Sequence, residues 1–238
     1  RVLAQVVYYF SAAASLGAPQ RKVSFTVPTG NFGDIFAGYV AKRMGLPIDR
    51  LIVATNQNDI LHRCLSTGVY QTDTVIPSIS PSMDIQVSSN FERALFYAYD
   101  GDGAAISRMM NSLKSEGGFE LSQGTQQKLA GDFGSGRVSE VETSATIAAH
   151  CTSTGEILCP HSAIGVNVAE AQRDPNVPMV TLATAHPAKF PDAVEAATSL
   201  RPELPDRMAD LYNRPERVTR VANELAPLQQ LIKERTSH

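Results

Sequence analysis

At 238 residues, with a formal net charge of -3 at pH 7 and a pI near 6.0, the chain can bury a core as one large domain or two small ones. It carries no basic face or run, which excludes nucleic acid as a partner, and no apolar stretch nears the roughly 20 residues of a membrane span. Three cysteines, odd in number and widely spaced, point to reduced thiols and a cytoplasmic protein.

The opening "RVLAQVVYYFSAAASLGA" has the apolar, small-ended look of a signal peptide. However, Val2, Leu3, Val6, Val7 and Phe10 fall on one helical stripe, as in a buried amphipathic helix. The first residue is Arg1 rather than Met, which sets the expectation that an upstream portion is missing. "RKVSFTV" and "DRLIVAT" read as strands flanking a helix from Asp34 to Met44, with Gly45 as its stop signal. Strand, helix and strand in that order make a βαβ unit and hence a parallel sheet. "SSNFERALFYAYD" opens with an expected capping box, Ser89 to Glu92, with Phe91, Leu95, Phe96 and Tyr99 on one face. A weakly amphipathic helix follows through Ile106, Met109, Met110 and Leu113. "GDFGSGR", residues 131–137, follows no strand signal and reads as a surface loop before a second capping box, Ser139 to Glu142. A third strand is expected to end at Thr184, and Pro191 suits the first turn of another helix. From Arg201 the charged, proline-broken tail reads as one or two peripheral helices.

The strongest local signal is Gly30-Asn31-Phe32-Gly33-Asp34 between the first strand and helix. It lacks the Gly-Lys-Ser/Thr of a P-loop and the spacing of a dinucleotide fingerprint. Its two glycines and the unpaired N–H groups at the helix start nonetheless suit a phosphate, although the same turn serves equally as a tight connection. Asp34 favours the helix dipole but would repel a bound dianion unless turned away. His150, Cys151, Cys159 and His161 fit no standard zinc spacing, so buried structural cysteines and no metal are expected. Thr184 either caps a turn or presents a hydroxyl to a ligand at the carboxyl end of the sheet.

Taken together, "VPTGNFGDIFAGYVAKRMGLPI", "LIVATNQNDIL", "SPSMDIQVSSNFERALF", "CPHSAIG" and "TAHPAKFP" resemble the threonine synthases of the fungal and proteobacterial kind. These are pyridoxal-phosphate enzymes of fold type II. The matching stretches run in family order over most of the chain, which looks like the C-terminal half. The resemblance implies an α/β fold: the parallel-sheet large domain with flanking helices. It implies pyridoxal 5'-phosphate as cofactor, its phosphate cradled by Gly30, Asn31, Phe32, Gly33 and Asp34, and Thr184 hydrogen-bonding its pyridine nitrogen. It implies conversion of O-phospho-L-homoserine and water to L-threonine and phosphate, the cofactor stabilising carbanions at Cα and Cβ. Asn56, Asn58, Ser89, Arg93 and His161 are candidate substrate residues, though Ser89 is equally an N-cap and Arg93 a solvated helix residue. Cys159 stands where the family commonly has Asp.

That chemistry needs a lysine for a Schiff base, which the family carries upstream in a Phe-Lys-Asp context. Lys22, Lys42, Lys114, Lys128, Lys189 and Lys233 all lack it, so no catalytic residue is assigned here, and the missing N-terminal half is the expected partner. Another fold-type II enzyme, a dehydratase or β-replacement enzyme, is an alternative; so is a non-catalytic phosphate-ligand-binding homologue. The expected organisation is a helix of the preceding region at 1–20 and the cofactor-binding α/β domain at 21–200, with a helical insertion at about 80–175. Peripheral helices follow at 201–238. A sheet lacking strands and a first helix lacking partners should leave the isolated chain poorly stable. Thermal unfolding of the purified chain checks this: a reversible two-state transition at an ordinary mesophilic midpoint would refute it.

Overall fold

The computed structural model describes residues 1–236. Helix α1 (Val2–Ser15) precedes β1 (Val23–Pro28), α2 (Gly33–Arg43), β2 (Ile48–Thr55), α3 (Ile60–Thr67) and β3 (Val69–Gln71). Then come α4 (Phe91–Ala98), α5 (Gly103–Glu116), β4 (Gly118–Glu120), α6 (Gln123–Asp132) and β5 (Phe133–Arg137). Helices α7 (Glu140–Thr154) and α8 (Pro160–Gln172), β6 (Met179–Thr181) and α9 (Pro191–Thr198) complete a compact unit over residues 1–202. From Glu203 a second unit follows, with α10 (Leu225–Thr236); residues 237 and 238 of the expected tail lie outside the described residues.

Four parallel strands in the order β5-β2-β1-β6 make the main sheet, and β3 and β4 pair antiparallel beside it in sequence. Side-chain alternation sorts the sheet's two faces. Phe25, Val27, Leu51 and Val53 join Tyr9, Ile35 and Phe36 in the larger core, while Ile52 and Ala54 join Ile164 and Val168 of α8 in a second. Both faces of β2 are therefore covered, which is why "LIVA" is an unbroken apolar run. Each large side chain so buried contributes about 1.5–3 kcal/mol. α8 approaches closely because two glycines allow it. A Cβ on Gly165 would lie 2.7 Å from Thr181 Cγ2, and one on Gly136 of β5 would lie 2.8 Å from Val168 Cγ1.

Several expectations need correction. Residues 133–137 are not a loop: β5 pairs with β2 from Leu51–Phe133 to Thr55–Arg137. Parallel pairing is a long-range contact that no local pattern in a glycine-rich pentapeptide announces. The stretch 80–175 is consequently no purely helical insertion, since it supplies the sheet's edge strand. Helix α4 is not opened by a Ser89–Glu92 capping box. Asn90 precedes it without a side-chain cap, and the Ser89 hydroxyl turns to Asn31 Oδ1 at 3.3 Å. The buried face of α4 is Phe91, Ala94, Leu95 and Ala98, leaving Phe96 outside. β6 stops at Thr181, three residues before Thr184. On α1 the buried residues are Val6, Tyr9 and Ala13, while Leu3 and Val7 are 75% and 62% exposed. The Ser139–Glu142 capping box and Pro191 at the start of α9 form as read. Among the described residues no helix is long and apolar enough to cross a membrane.

The glycine contact gives a test. Gly165→Val should lower stability by about 1–3 kcal/mol through overpacking between α8 and β1/β6, although leaving glycine favours a helix. Urea midpoints of wild type and variant measure it; equal midpoints would mean that the interface yields freely.

Candidate functional site

The β1–α2 turn is held from three sides. Phe32 takes the left-handed backbone conformation, φ 62°, which is rare for a bulky residue. Its ring is buried edge-on to Phe91 and Phe133, at 5.1 and 5.2 Å between centroids. Gly30 lies against the 80s loop, where a Cβ would come within 2.8 Å of the Ser82 carbonyl oxygen. The Ser88 hydroxyl donates to Gly30 O at 2.8 Å, and both nitrogens of Asn90 donate to Asn31 O, the backbone at 3.1 Å and Nδ2 at 2.9 Å. The turn's carbonyls are thus consumed by the segment 88–90. The first bond of α2 is Phe36 N–H to Phe32 O at 3.1 Å, so the N–H groups of Gly33, Asp34 and Ile35 precede the helical ladder and stay available.

The turn forms one wall of a cleft of about 780 Å³. The first turn of α8 forms another. Ser82 N–H donates to His161 Nε2 at 3.2 Å, which puts the imidazole proton on Nδ1. That Nδ1 is buried with no partner among the described residues. The next residue, Ser162, receives the Thr184 N–H on its hydroxyl at 3.2 Å. Arg1, Arg93 and Lys189 bring positive charge to the same cleft.

Burial sets the electrostatics. It pushes the Asp34 carboxyl up to about 6, partly offset by Tyr9 and Arg1. The Tyr9 hydroxyl donates to the Asp34 carbonyl at 2.9 Å, and Asp34 Oδ1 is buried without a hydrogen-bond partner among the described residues. Burial, then the nearby Lys189 charge, lowers His161 to about 4, with Asp84 opposing. At neutral pH the imidazole is accordingly an uncharged donor.

Residues 162–232 match the family described as "Threonine synthase, C-terminal". The threonine synthase of Pseudomonas aeruginosa is 53% identical over 234 residues, covering 98% of this chain and 50% of that protein. The crystal structure of PLP-bound threonine synthase from Brucella melitensis superposes with a TM-score of 0.94 at 54% identity, over all of this chain and 51% of the other. The yeast threonine synthase structure superposes at 0.88 with 39% identity, over 100% and 52%. The chain belongs to the threonine synthase family. It spans about half the length of the curated relatives it matches.

In this family member the sheet, turn and strand ends bring Gly30, Asn31, Phe32, Gly33, Asp34, Thr184, Arg93 and His161 around one cleft. The Phe32 ring itself points into the core, so only its backbone faces the cleft. Asn56 and Asn58 do not line it. Asn56 Nδ2 donates to Ser78, Ser80 and Asp84 at 2.8–2.9 Å, and Asn58 bonds both ways with Ile76 and also reaches Asp84. Their amides are spent in a network that shapes the 76–84 loop, away from the cleft lining on which their expected substrate role would depend. Ser89 also stays out of the lining and steadies Asn31 instead. Cys159 caps α8, its sulfur accepting from Ser162 N–H at 3.4 Å. Among the described residues no cluster of His, Cys, Asp or Glu could hold a metal ion. Sequence reading assigned no role to Ser82 and Gln5, which line the cleft, or to Ser162 behind it. Gln5 is a polar residue beside the apolar stripe of α1, and Ser82 and Ser162 lie within the stretches "SPSMDIQVSSNFERALF" and "CPHSAIG".

The two shifted groups predict opposite pH effects on the cofactor-free protein. His161, depressed in the fold, contributes stability that is present above about 6.5 and lost as pH falls towards 4. Asp34, raised in the fold, contributes stability that is present below about 3.8 and lost as pH rises through 6. Asp34→Asn should therefore be more stable than wild type at pH 7.5 and lose stability more steeply on acidification to pH 5. Urea midpoints at the two pH values decide; parallel losses would contradict the assignment.

Proposed function

We propose that this chain is the cofactor-phosphate-binding portion of a threonine synthase, an enzyme that converts O-phospho-L-homoserine and water to L-threonine and phosphate with pyridoxal 5'-phosphate. The observation that carries the proposal is the β1–α2 turn. Gly30 has no Cβ, its own carbonyl and that of Asn31 are occupied by Ser88 and Asn90, and the leading N–H groups of α2 are free to receive anionic oxygens. These residues fit the phosphate of the cofactor that the Brucella relative carries. The Asp34 carboxyl, raised to about 6 by burial, stays mostly ionised at neutral pH, and a phosphate bound beside it would push it further towards the protonated form.

When bound, pyridoxal phosphate supplies an electron sink for carbanions next to the amino-bearing carbon. The chain's own residues hold and orient it. Gly33, Asp34 and Ile35 bind phosphate oxygens through N–H groups. The Thr184 hydroxyl, which forms no hydrogen bond among the described residues, offers a neutral partner to the ring nitrogen. Arg93 and Lys189, at the cleft, attract the substrate's anionic groups, and the buried His161 Nδ1–H is a donor with no acceptor among the described residues. We assign the lysine that joins the cofactor covalently to the part of the protein outside this chain. Lys189 follows β6 in "HPAKF", its ammonium 5.7 Å from the Phe190 ring centroid.

Phosphate release from O-phospho-L-homoserine, with added pyridoxal phosphate, tests the reading on the protein from its complete reading frame and on this chain alone. Activity in the complete protein only is expected. Activity on L-threonine or L-serine instead would point to a dehydratase, and cofactor binding without turnover to a binding module. In the complete protein, Gly30→Ala should weaken cofactor affinity by about tenfold or more, a loss of about 1.4 kcal/mol. Fluorescence titration measures it, and unchanged affinity would remove the turn from the site.

A further inference from the structure

The first turn of α8 reaches two separate walls of the cleft, and the link to Thr184 is built from three contacts. Thr184 N–H donates to Ser162 Oγ at 3.2 Å. Ser162 Oγ lies 3.2 Å from Cys159 Sγ, and Ser162 N–H donates to the same sulfur at 3.4 Å. Ser162 and Cys159 are 3% and 1% exposed, whereas Thr184 is exposed in the cleft wall. Thr184 lies beyond the last strand pair, because β6 ends at Thr181 and its final ladder bond is Leu182 N–H to Thr26 O. From Ala183 onward the sheet no longer holds the backbone. Among the described residues the Ser162 hydroxyl is the one hydrogen-bond partner of the Thr184 backbone N–H.

We propose that Ser162 is a positioning residue. Its hydroxyl, held 3.2 Å from the Cys159 sulfur, accepts the Thr184 N–H, fixes the Thr184 backbone and so aims the Thr184 hydroxyl into the cleft. A rigid helix turn thereby sets a side chain on an irregular segment, as sites on loops require. The serine does not itself face the ligand. The inference deepens the proposed function, since it presumes that Thr184 meets the cofactor ring.

The test uses the complete protein with Ser162→Ala, Ser162→Thr and Cys159→Ala. Without cofactor, amide hydrogen exchange of the peptide holding Thr184 should quicken roughly two- to tenfold in Ser162→Ala, the effect of one lost hydrogen bond. Peptides over Gly33–Ile35 should not change. Ser162→Thr, which keeps the hydroxyl, should restore the wild-type rate, and Cys159→Ala should give a smaller rise in the same peptide. With cofactor, the absorption maximum of the bound chromophore should shift in Ser162→Ala and return in Ser162→Thr. Unchanged exchange at Thr184 in Ser162→Ala overturns the proposal, as does quickening spread evenly over the cleft. If Ser162→Ala does not fold, Cys159→Ala decides by the same peptide: an unchanged rate there overturns the proposal. A wild-type protein that binds no pyridoxal phosphate would instead overturn the proposed function and leave the exchange result standing.

Discussion

The burial of one aromatic ring organises the cleft-facing part of this protein. Phe32 gains about 1.5–3 kcal/mol by leaving water, while a left-handed backbone costs a non-glycine residue roughly 1–2 kcal/mol. Burial between Phe91 and Phe133 wins. Its consequence is that the residues on either side cannot follow their ring inward. Asn31 is exposed, Gly30 rests against the Ser82 carbonyl, and α2 begins at Gly33 with its leading N–H groups facing the cleft. A core contact has set the shape of one cleft wall.

The opposite wall depends on α8, which approaches the sheet closely only because Gly165 and Gly136 carry no side chain. That approach places His161 and Ser162 within hydrogen-bonding distance of Ser82 and Thr184. The same packing that fills the second core therefore sets the width of the cleft. Burial also determines charge at the site. The imidazole of His161 is held neutral and the carboxyl of Asp34 is made easier to protonate, both through desolvation rather than through a specific ion pair.

The saturated cluster around Asn56, Asn58 and Asp84 shows how a polar sequence can be structural. Five polar side chains, those of Asn56, Asn58, Ser78, Ser80 and Asp84, satisfy one another and the backbone of Ile76 and Ser78. The loop they shape carries Ser82 to Gly30. Their contribution to the cleft is indirect, through the shape of that loop.

The sequence by itself determined the βαβ unit, because alternation in "VSFTV" and helical spacing from Asp34 are local patterns. It also singled out the glycine turn as suited to a phosphate and, through long family stretches, named Thr184, Arg93 and His161 as candidate site residues; the fold sets all of them around one cleft. Only the tertiary structure decided that "FGSGR" is a strand, since its pairing partner lies some eighty residues away and parallel pairing leaves no local mark. It likewise decided that Asn56 and Asn58 are spent on a loop, and that the Ser162 hydroxyl meets the Thr184 N–H. Which groups a polar side chain meets is settled by packing, and packing is a property of the whole chain.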